Sequence, residues 1–80
     1  MLTRYIQAAM RHAKYEILED GIFYGEIPGF QGVYADTDTL EECREQLQEV
    51  IEEWIILGFQ LNHPLPVVDG IGLKLKKERV

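Results

Sequence analysis

The sequence has 80 residues, which is enough for one small domain and too short for a two-domain enzyme. A composition of 46% hydrophobic and 28% charged residues is typical of a soluble globular chain and argues against a disordered or membrane-spanning one. The net charge of −6 argues against a protein whose whole surface binds nucleic acid by charge. A single cysteine, Cys43, excludes an internal disulfide framework. With no secretory signal pattern, these features predict a cytoplasmic protein.

The charge is unevenly distributed along the chain. Residues 1–15 carry +3, residues 16–69 carry thirteen acids against one base, and residues 70–80 again carry +3. An acidic middle between two basic ends suits head-to-tail self-association or a basic partner. The alternative is scattered surface charge that only keeps the protein soluble.

The first predicted element is a short amphipathic helix over residues 2–12. Apolar residues recur there at helical spacing, while Arg4 and Arg11 fall on the opposite side. Because so short a helix is marginal alone, its apolar stripe must dock on its own sheet or on another subunit.

Two β-rich runs, residues 15–18 and 22–27, follow as a predicted hairpin. A three-residue loop with Gly21 in the left-handed conformation would pair Leu18 with Ile22. We predict this register because it puts the apolar side chains on one face of the hairpin and the polar side chains on the other. Burial of the apolar face then specifies the register strongly. The first face holds Tyr15, Ile17, Phe23, Gly25 and Ile27; the second holds Lys14, Glu16, Tyr24 and Glu26.

A turn at residues 28–32 and a short third strand at residues 33–35 come next. Thr39 followed by Glu42 is a capping-box pattern, which predicts the start of a long helix over residues 40–57 that stops at Gly58. Its predicted apolar stripe is Leu40, Cys43, Leu47, Val50, Ile51, Trp54 and Leu57. Ile56 breaks the pattern, lying among glutamates, and is therefore either a lone exposed residue or part of a subunit contact.

The last predicted element is a half-buried strand over residues 70–77, where apolar residues alternate with lysines. The predicted fold class is α+β, in the order α-β-β-β-α-β, with helices packed on a sheet. The single domain divides into an N-terminal helix (1–13), a three-stranded meander (14–35), the long helix (39–57) and the C-terminal strand (70–77).

The usual catalytic signatures are missing from this chain. It contains no serine, no phosphate-binding loop, no HExxH, no CxxC and no GxSxG. Cys43 falls within an apolar stripe, where a thiol behaves as a small core residue. His12 and His63 show no metal-ligand spacing with it. We therefore predict no enzymatic activity, no cofactor and no metal.

Residues 15–66 resemble the HicB family of type II antitoxins. The resemblance rests on an ordered set of short motifs rather than on any single one. These are Glu26-Ile27-Pro28-Gly29-Phe30-Gln31-Gly32, then Asp38-Thr39-Leu40-Glu41-Glu42, then Gly58 and Pro64-Leu65-Pro66. Thr37 and Val33 depart from the family pattern, which often has glycine and cysteine at those places.

The resemblance implies a partial ribonuclease H-like fold without ribonuclease H catalysis. It also implies a partner of the HicA type, a small basic toxin that cleaves mRNA, whose active surface the antitoxin would cover. Family members commonly assemble as dimers or tetramers. No DNA-binding segment of the kind found in longer members is recognisable, so the resemblance does not extend to operator binding.

Two sets of candidate binding residues follow. The candidate protein and oligomer interface combines the acidic face of the long helix with the turn before the third strand: Glu45, Glu49, Glu52, Glu53, Ile56, Pro28, Gly29, Phe30 and Gly32. The alternative function is nucleic-acid binding by a homo-oligomer through the two basic ends: Arg4, Arg11, Lys74, Lys76 and Lys77.

Overall fold

The structure, a computed structural model, describes residues 2–72. Within them the chain forms an α+β fold of two helices and a three-stranded antiparallel sheet in the order β1-β2-β3. The elements are α1 (Leu2–Arg11), β1 (Lys14–Ile17), β2 (Phe23–Glu26), β3 (Tyr34–Thr37) and α2 (Leu40–Gln60).

The hairpin between β1 and β2 has the three-residue loop that the alternation of apolar residues predicts. The Leu18 amide donates to the Ile22 carbonyl at 2.8 Å, and Gly21 has a φ of +85°. Ile17 pairs with Phe23, and Tyr15 pairs with Gly25, as expected. Glycine suits the loop because it adopts a positive φ without a steric penalty.

The third strand is longer than the predicted 33–35 and begins one residue later, because its pairing with β2 sets its ends. Tyr34 pairs with Glu26 at one end, and Thr37 pairs with Phe23 at the other. The Val33 amide instead donates to the Phe30 carbonyl and closes the turn before the strand. Each of the three strands is therefore four residues long.

Helix α2 begins where the capping-box pattern places it. The Thr39 side chain accepts a hydrogen bond from the Glu42 amide at 3.1 Å, and Thr39 itself has extended backbone angles. The helix then crosses one face of the sheet, contacting β2 and β3. Its buried residues are Cys43, Leu47, Ile51, Ile55 and Gly58.

The predicted apolar stripe of α2 is wrong at three positions. Leu40 and Leu57 are about half exposed, whereas Ile55, which the stripe leaves out, is only 3% exposed. Ile55 follows Glu52 by one turn, on the side of α2 that faces α1. The buried face is therefore rotated toward α1, because α1 covers that flank of the helix and leaves the opposite flank open.

Gly58 does not end α2, which continues to Gln60. A Cβ at Gly58 would lie 3.1 Å from Cδ2 of Leu65, so the glycine allows the segment after the helix to cross closely over it. The His63 amide donates to the Gly58 carbonyl at 2.8 Å and reverses the chain. The role of this glycine is close packing, and the predicted helix stop is wrong.

Helix α1 docks on α2 rather than on the sheet. It contributes Tyr5, Ile6, Ala8 and Ala9 to the core, and the Tyr5 hydroxyl donates to the Pro66 carbonyl. The chain then makes a tight turn in which Val68 bridges Ile71. The predicted strand 70–77 lies largely outside the described residues. Neither helix has an apolar stretch long enough to cross a membrane.

Candidate binding surfaces

The thiol of Cys43 is part of the core. It is fully buried and donates weakly to the Ala35 carbonyl, with Sγ at 3.5 Å from the oxygen. Burial raises the pKa of the Cys43 thiol, which disfavours the thiolate that a nucleophile needs. Across residues 2–72, no three His, Cys, Asp or Glu side chains come together as a metal site.

The outer face of α2 is acidic and carries one apolar side chain. Glu45, Glu49 and Glu53 are exposed, and Ile56 is 57% exposed one turn beyond Glu53. The structure thus brings four of the predicted interface residues onto one helical face. Such a face combines long-range attraction for cations with an apolar contact point.

Glu52 lies at the edge of that face that is nearer to α1. It is half-buried and lines a groove of about 410 Å³ between the two helices, together with Arg11 and Arg44. Its Oε2 accepts a hydrogen bond from Gln48 Nε2 at 3.3 Å. Two arginines and a glutamate make this groove mixed in charge, and Glu52 stands between the groove and the acidic face.

The turn at residues 28–32 splits into an exposed rim and a buried anchor. Pro28, Gly29 and Gly32 are exposed, whereas Phe30 is only 5% exposed. The Phe30 ring packs edge-on against Tyr5 and Trp54, with ring centroids 6.3 and 5.0 Å apart. The Phe30 side chain therefore belongs to the core, and its place in a partner contact stays a prediction about the loop backbone.

Helix α2 also holds this turn through its tryptophan. The Trp54 indole Nε1 donates to the Gln31 carbonyl at 3.1 Å. Gly29 and Gly32 have φ values of +90° and +89°, a region that favours glycine. The rim is therefore a defined loop conformation anchored on the helix that carries the acidic face.

The structure describes two of the five predicted basic residues, Arg4 and Arg11, and only Arg11 is close to an acid. Arg4 is exposed on α1, while Arg11 Nη2 lies 3.6 Å from Asp69 Oδ2. His12 Nε2 lies 2.7 Å from the other carboxylate oxygen of Asp69. The hydrogen bond from His12 and the nearby Arg11 lower the pKa of Asp69. Lys74, Lys76 and Lys77 lie outside the described residues.

The outer face of the sheet is a surface for which the sequence suggested no role. Tyr24 and Tyr34 stack there with ring centroids 6.2 Å apart. The Tyr24 hydroxyl donates to Glu26 Oε1 at 3.0 Å. The strand alternation places Tyr24 and Glu26 on this polar face, but only the pairing of β2 with β3 brings Tyr34 beside them. A tyrosine on the polar side of a predicted strand was the available signal.

The amino-acid sequence also matches a known protein family. The sequence pattern of the UPF0150-like family matches residues 4–66. The chain belongs to the UPF0150-like family.

Two relatives of this UPF0150-like chain bear on its fold. The UPF0150 protein ssr1258 from Synechocystis is 41% identical over 34 residues, which are 42% of this chain. The match spans about half, 49%, of that protein's own length. The crystal structure of TTHA0281 from Thermus thermophilus is 35% identical, covers 95% of both chains and superposes with a TM-score of 0.88. The α+β fold of this UPF0150-like chain is therefore close to that of an experimental structure.

Proposed function

We propose that this UPF0150-like chain is a HicB-like antitoxin module, without enzymatic activity, that acts in the cytoplasm. In this proposal it has the partial ribonuclease H-like architecture of such antitoxins and assembles as a dimer or tetramer. Its partner is a small, basic, HicA-like toxin that cleaves mRNA, and binding covers the toxin's active surface. Membership of the UPF0150-like family is compatible with a small antitoxin-like module.

The observation that carries the proposal is the outer face of α2. Glu45, Glu49 and Glu53 project from one rigid helix with Ile56 beside them, and all four are exposed. Charge complementarity steers the encounter of two proteins and suppresses wrong partners, while an apolar side chain adds desolvated contact area. A basic toxin surface is the complement of this face.

The loop rim extends this face in the proposal. Pro28, Gly29 and Gly32 are exposed in a loop whose conformation is held by Trp54 of α2. A rigid loop loses little conformational entropy on binding, which favours its use as a contact. Phe30 supports the loop from within the core.

The alternative, nucleic-acid binding through the basic ends, has weaker support. Arg11 is paired with Asp69, so Arg4 is the basic side chain of α1 that is left for a phosphate. Among the described residues, this alternative thus has one or two phosphate contacts, which give little affinity because binding scales with the number of counterions released.

Co-expression with the product of the adjacent gene tests the proposal. We expect a small basic protein that co-purifies with this chain and whose mRNA cleavage stops when the two are mixed. Glu49→Lys should weaken the complex at least about tenfold, since it places like charges together. Glu19→Lys, an equal charge change at the exposed hairpin loop, is the matched control and should bind as the unmodified chain does. A neighbour that is not basic, or that does not bind, would contradict the antitoxin function.

A further inference from the structure

The outer face of the three-stranded sheet has no covering element within residues 2–72. Helix α2 is the described element that contacts the strands, and it packs where Gly25 and Ala35 point, with Cys43 Sγ against both. Side chains alternate between the two faces of a strand, so their sequence neighbours point away from α2. Within the described part of the chain, one face of the sheet is thus uncovered.

This open face carries an ordered arrangement of aromatic rings and carboxylates. The register places Tyr24 opposite Asp36 and Glu26 opposite Tyr34, so each tyrosine lies beside an acid. Tyr34 is 57% exposed, and its ring stacks on that of Tyr24 at an interplanar angle of 27°. The six side chains of the face, from β1, β2 and β3, are Lys14, Glu16, Tyr24, Glu26, Tyr34 and Asp36.

We propose that this face binds an arginine-bearing segment of a partner protein. A guanidinium group stacks on the exposed Tyr34 ring while its N–H groups donate to the carboxylate of Glu26 or Asp36. Arginine fits better than lysine because its planar group stacks on an aromatic ring and pairs with a carboxylate at the same time. The Tyr24 hydroxyl, by donating to Glu26, holds that carboxylate beside the rings.

Charge decides between a cationic segment and the other possible occupants. Counting residues 2–72, the face holds three acids and one base, Lys14, so a second copy stacked on it would bring like charges together. A nucleic acid would meet the same repulsion at its phosphates. A segment bearing arginines instead meets three carboxylates and two aromatic faces within one rigid sheet.

This inference does not rest on the antitoxin function. The face lies on the side of the sheet opposite α2, so Glu45, Glu49 and Ile56 cannot take part in the same contact. The sheet face is therefore a second proposed binding surface, with arginine side chains as its ligand.

Fluorescence anisotropy of a labelled tetra-arginine peptide, titrated with the full chain at low salt, tests the proposal. Tyr34→Leu should weaken binding by about two- to fivefold, the range expected for an exposed cation–π contact, while Tyr34→Phe keeps the ring and should bind nearly as well as the unmodified chain. Thermal melts followed by circular dichroism check folding, which we expect to be unchanged because Tyr34 is largely exposed.

Two variants of equal charge separate the sheet face from general attraction to an acidic protein. Glu26→Gln with Asp36→Asn removes two charges from the sheet, and Glu19→Gln with Asp38→Asn removes two from exposed positions outside both proposed surfaces. The proposal predicts a clear loss of peptide affinity for the first pair only. Equal losses for both pairs, or unchanged binding of Tyr34→Leu, would overturn it.

Amide chemical-shift mapping with the same peptide provides a second measurement. The expected perturbations cluster on β2 and β3, at Tyr24, Glu26, Tyr34 and Asp36. Perturbations confined to α2 would place the cation on the other surface and refute the assignment. Failure here leaves the co-purification result untouched, so the two proposals can fail separately.

Discussion

Gly25 of β2 faces Cys43 of α2 so closely that a Cβ at position 25 would lie 3.1 Å from the Cys43 sulfur. The same Cβ would lie 2.8 Å from Cδ1 of Tyr15 on the neighbouring strand. Helix α2 is thus seated so close to the sheet that a methyl group at position 25 would require the sulfur to shift by a few tenths of an ångström. This contact sets the depth at which the acidic helix sits.

Gly25→Ala is therefore expected to destabilise the protein by about 1–3 kcal/mol, the usual cost of overpacking a core. Urea unfolding followed by the fluorescence of Trp54, the single tryptophan, measures the free energy of unfolding. In a Cys43→Ala background the same substitution should cost less, because the sulfur no longer opposes the new methyl group. Additive effects of the two substitutions would show that the contact does not set the helix position.

Thr39→Ala is expected to lower the free energy of unfolding by about 1 kcal/mol, because the Glu42 amide loses its side-chain acceptor at the start of α2. Thr39→Ser keeps the accepting hydroxyl and serves as the control, with stability close to that of the unmodified chain. Equal melting temperatures for the alanine and serine variants would contradict the capping role.

Neighbouring isoleucines of α2 should respond very differently to truncation. Ile55 is 3% exposed and Ile56 is 57% exposed. Ile55→Ala is expected to cost about 2–5 kcal/mol through the cavity it leaves, whereas Ile56→Ala should change stability by less than about 0.5 kcal/mol. Urea unfolding of the two variants therefore tests which isoleucine faces the core. A larger loss of stability for Ile56→Ala than for Ile55→Ala would place Ile56 in the core.

The acid sensitivity of the fold should depend on Asp69. The hydrogen bond from His12, with Arg11 nearby, lowers the folded-state pKa of Asp69, so its ionised form stabilises the fold. That stabilisation is present above the ordinary aspartate pKa and is lost as pH falls through the lowered value. At about pH 5, Asp69→Asn should therefore melt at a lower temperature than the unmodified chain. At about pH 2.5 the two melting temperatures should lie closer together.

An Asp69→Asn variant that melts like the unmodified chain at both pH values would show that this cluster does not stabilise the fold.

Ile56→Glu is expected to lower the oligomeric mass measured by light scattering, because Ile56 is an exposed apolar residue of the predicted protein and oligomer interface. Leu57→Glu introduces the same charge at a similarly exposed position on another side of α2 and should leave the mass unchanged. An unchanged mass for Ile56→Glu would exclude this residue from the contact.

Local chemistry explains the features that the sequence predicted correctly. The loop at Gly21 and the pairing of Leu18 with Ile22 follow from alternation over a few residues. The start of α2 follows from Thr39 and Glu42, which lie three residues apart. Turn and cap signals of this kind act within one element, so a single sequence is enough to find them.

Contacts between distant segments decided the rest. Phe30 became a core residue because α1 and α2 enclose it, and Ile55 replaced Leu57 in the buried face because α1 covers one flank of α2. Gly58 became a packing position because Leu65 returns across it. Periodicity shows that a helix has an apolar side, but the elements that pack around it determine which residues are enclosed.

The distribution of charge along the chain also shows what the sequence determines and what tertiary structure decides. The sequence by itself determined that the chain is one small acidic domain with an acidic middle and basic ends. Only the tertiary structure placed acids on two separate surfaces, the outer face of α2 and the aromatic face of the sheet. The physical reason is that net charge is a sum over the chain, whereas a binding surface depends on which side chains strand pairing and helix packing bring together.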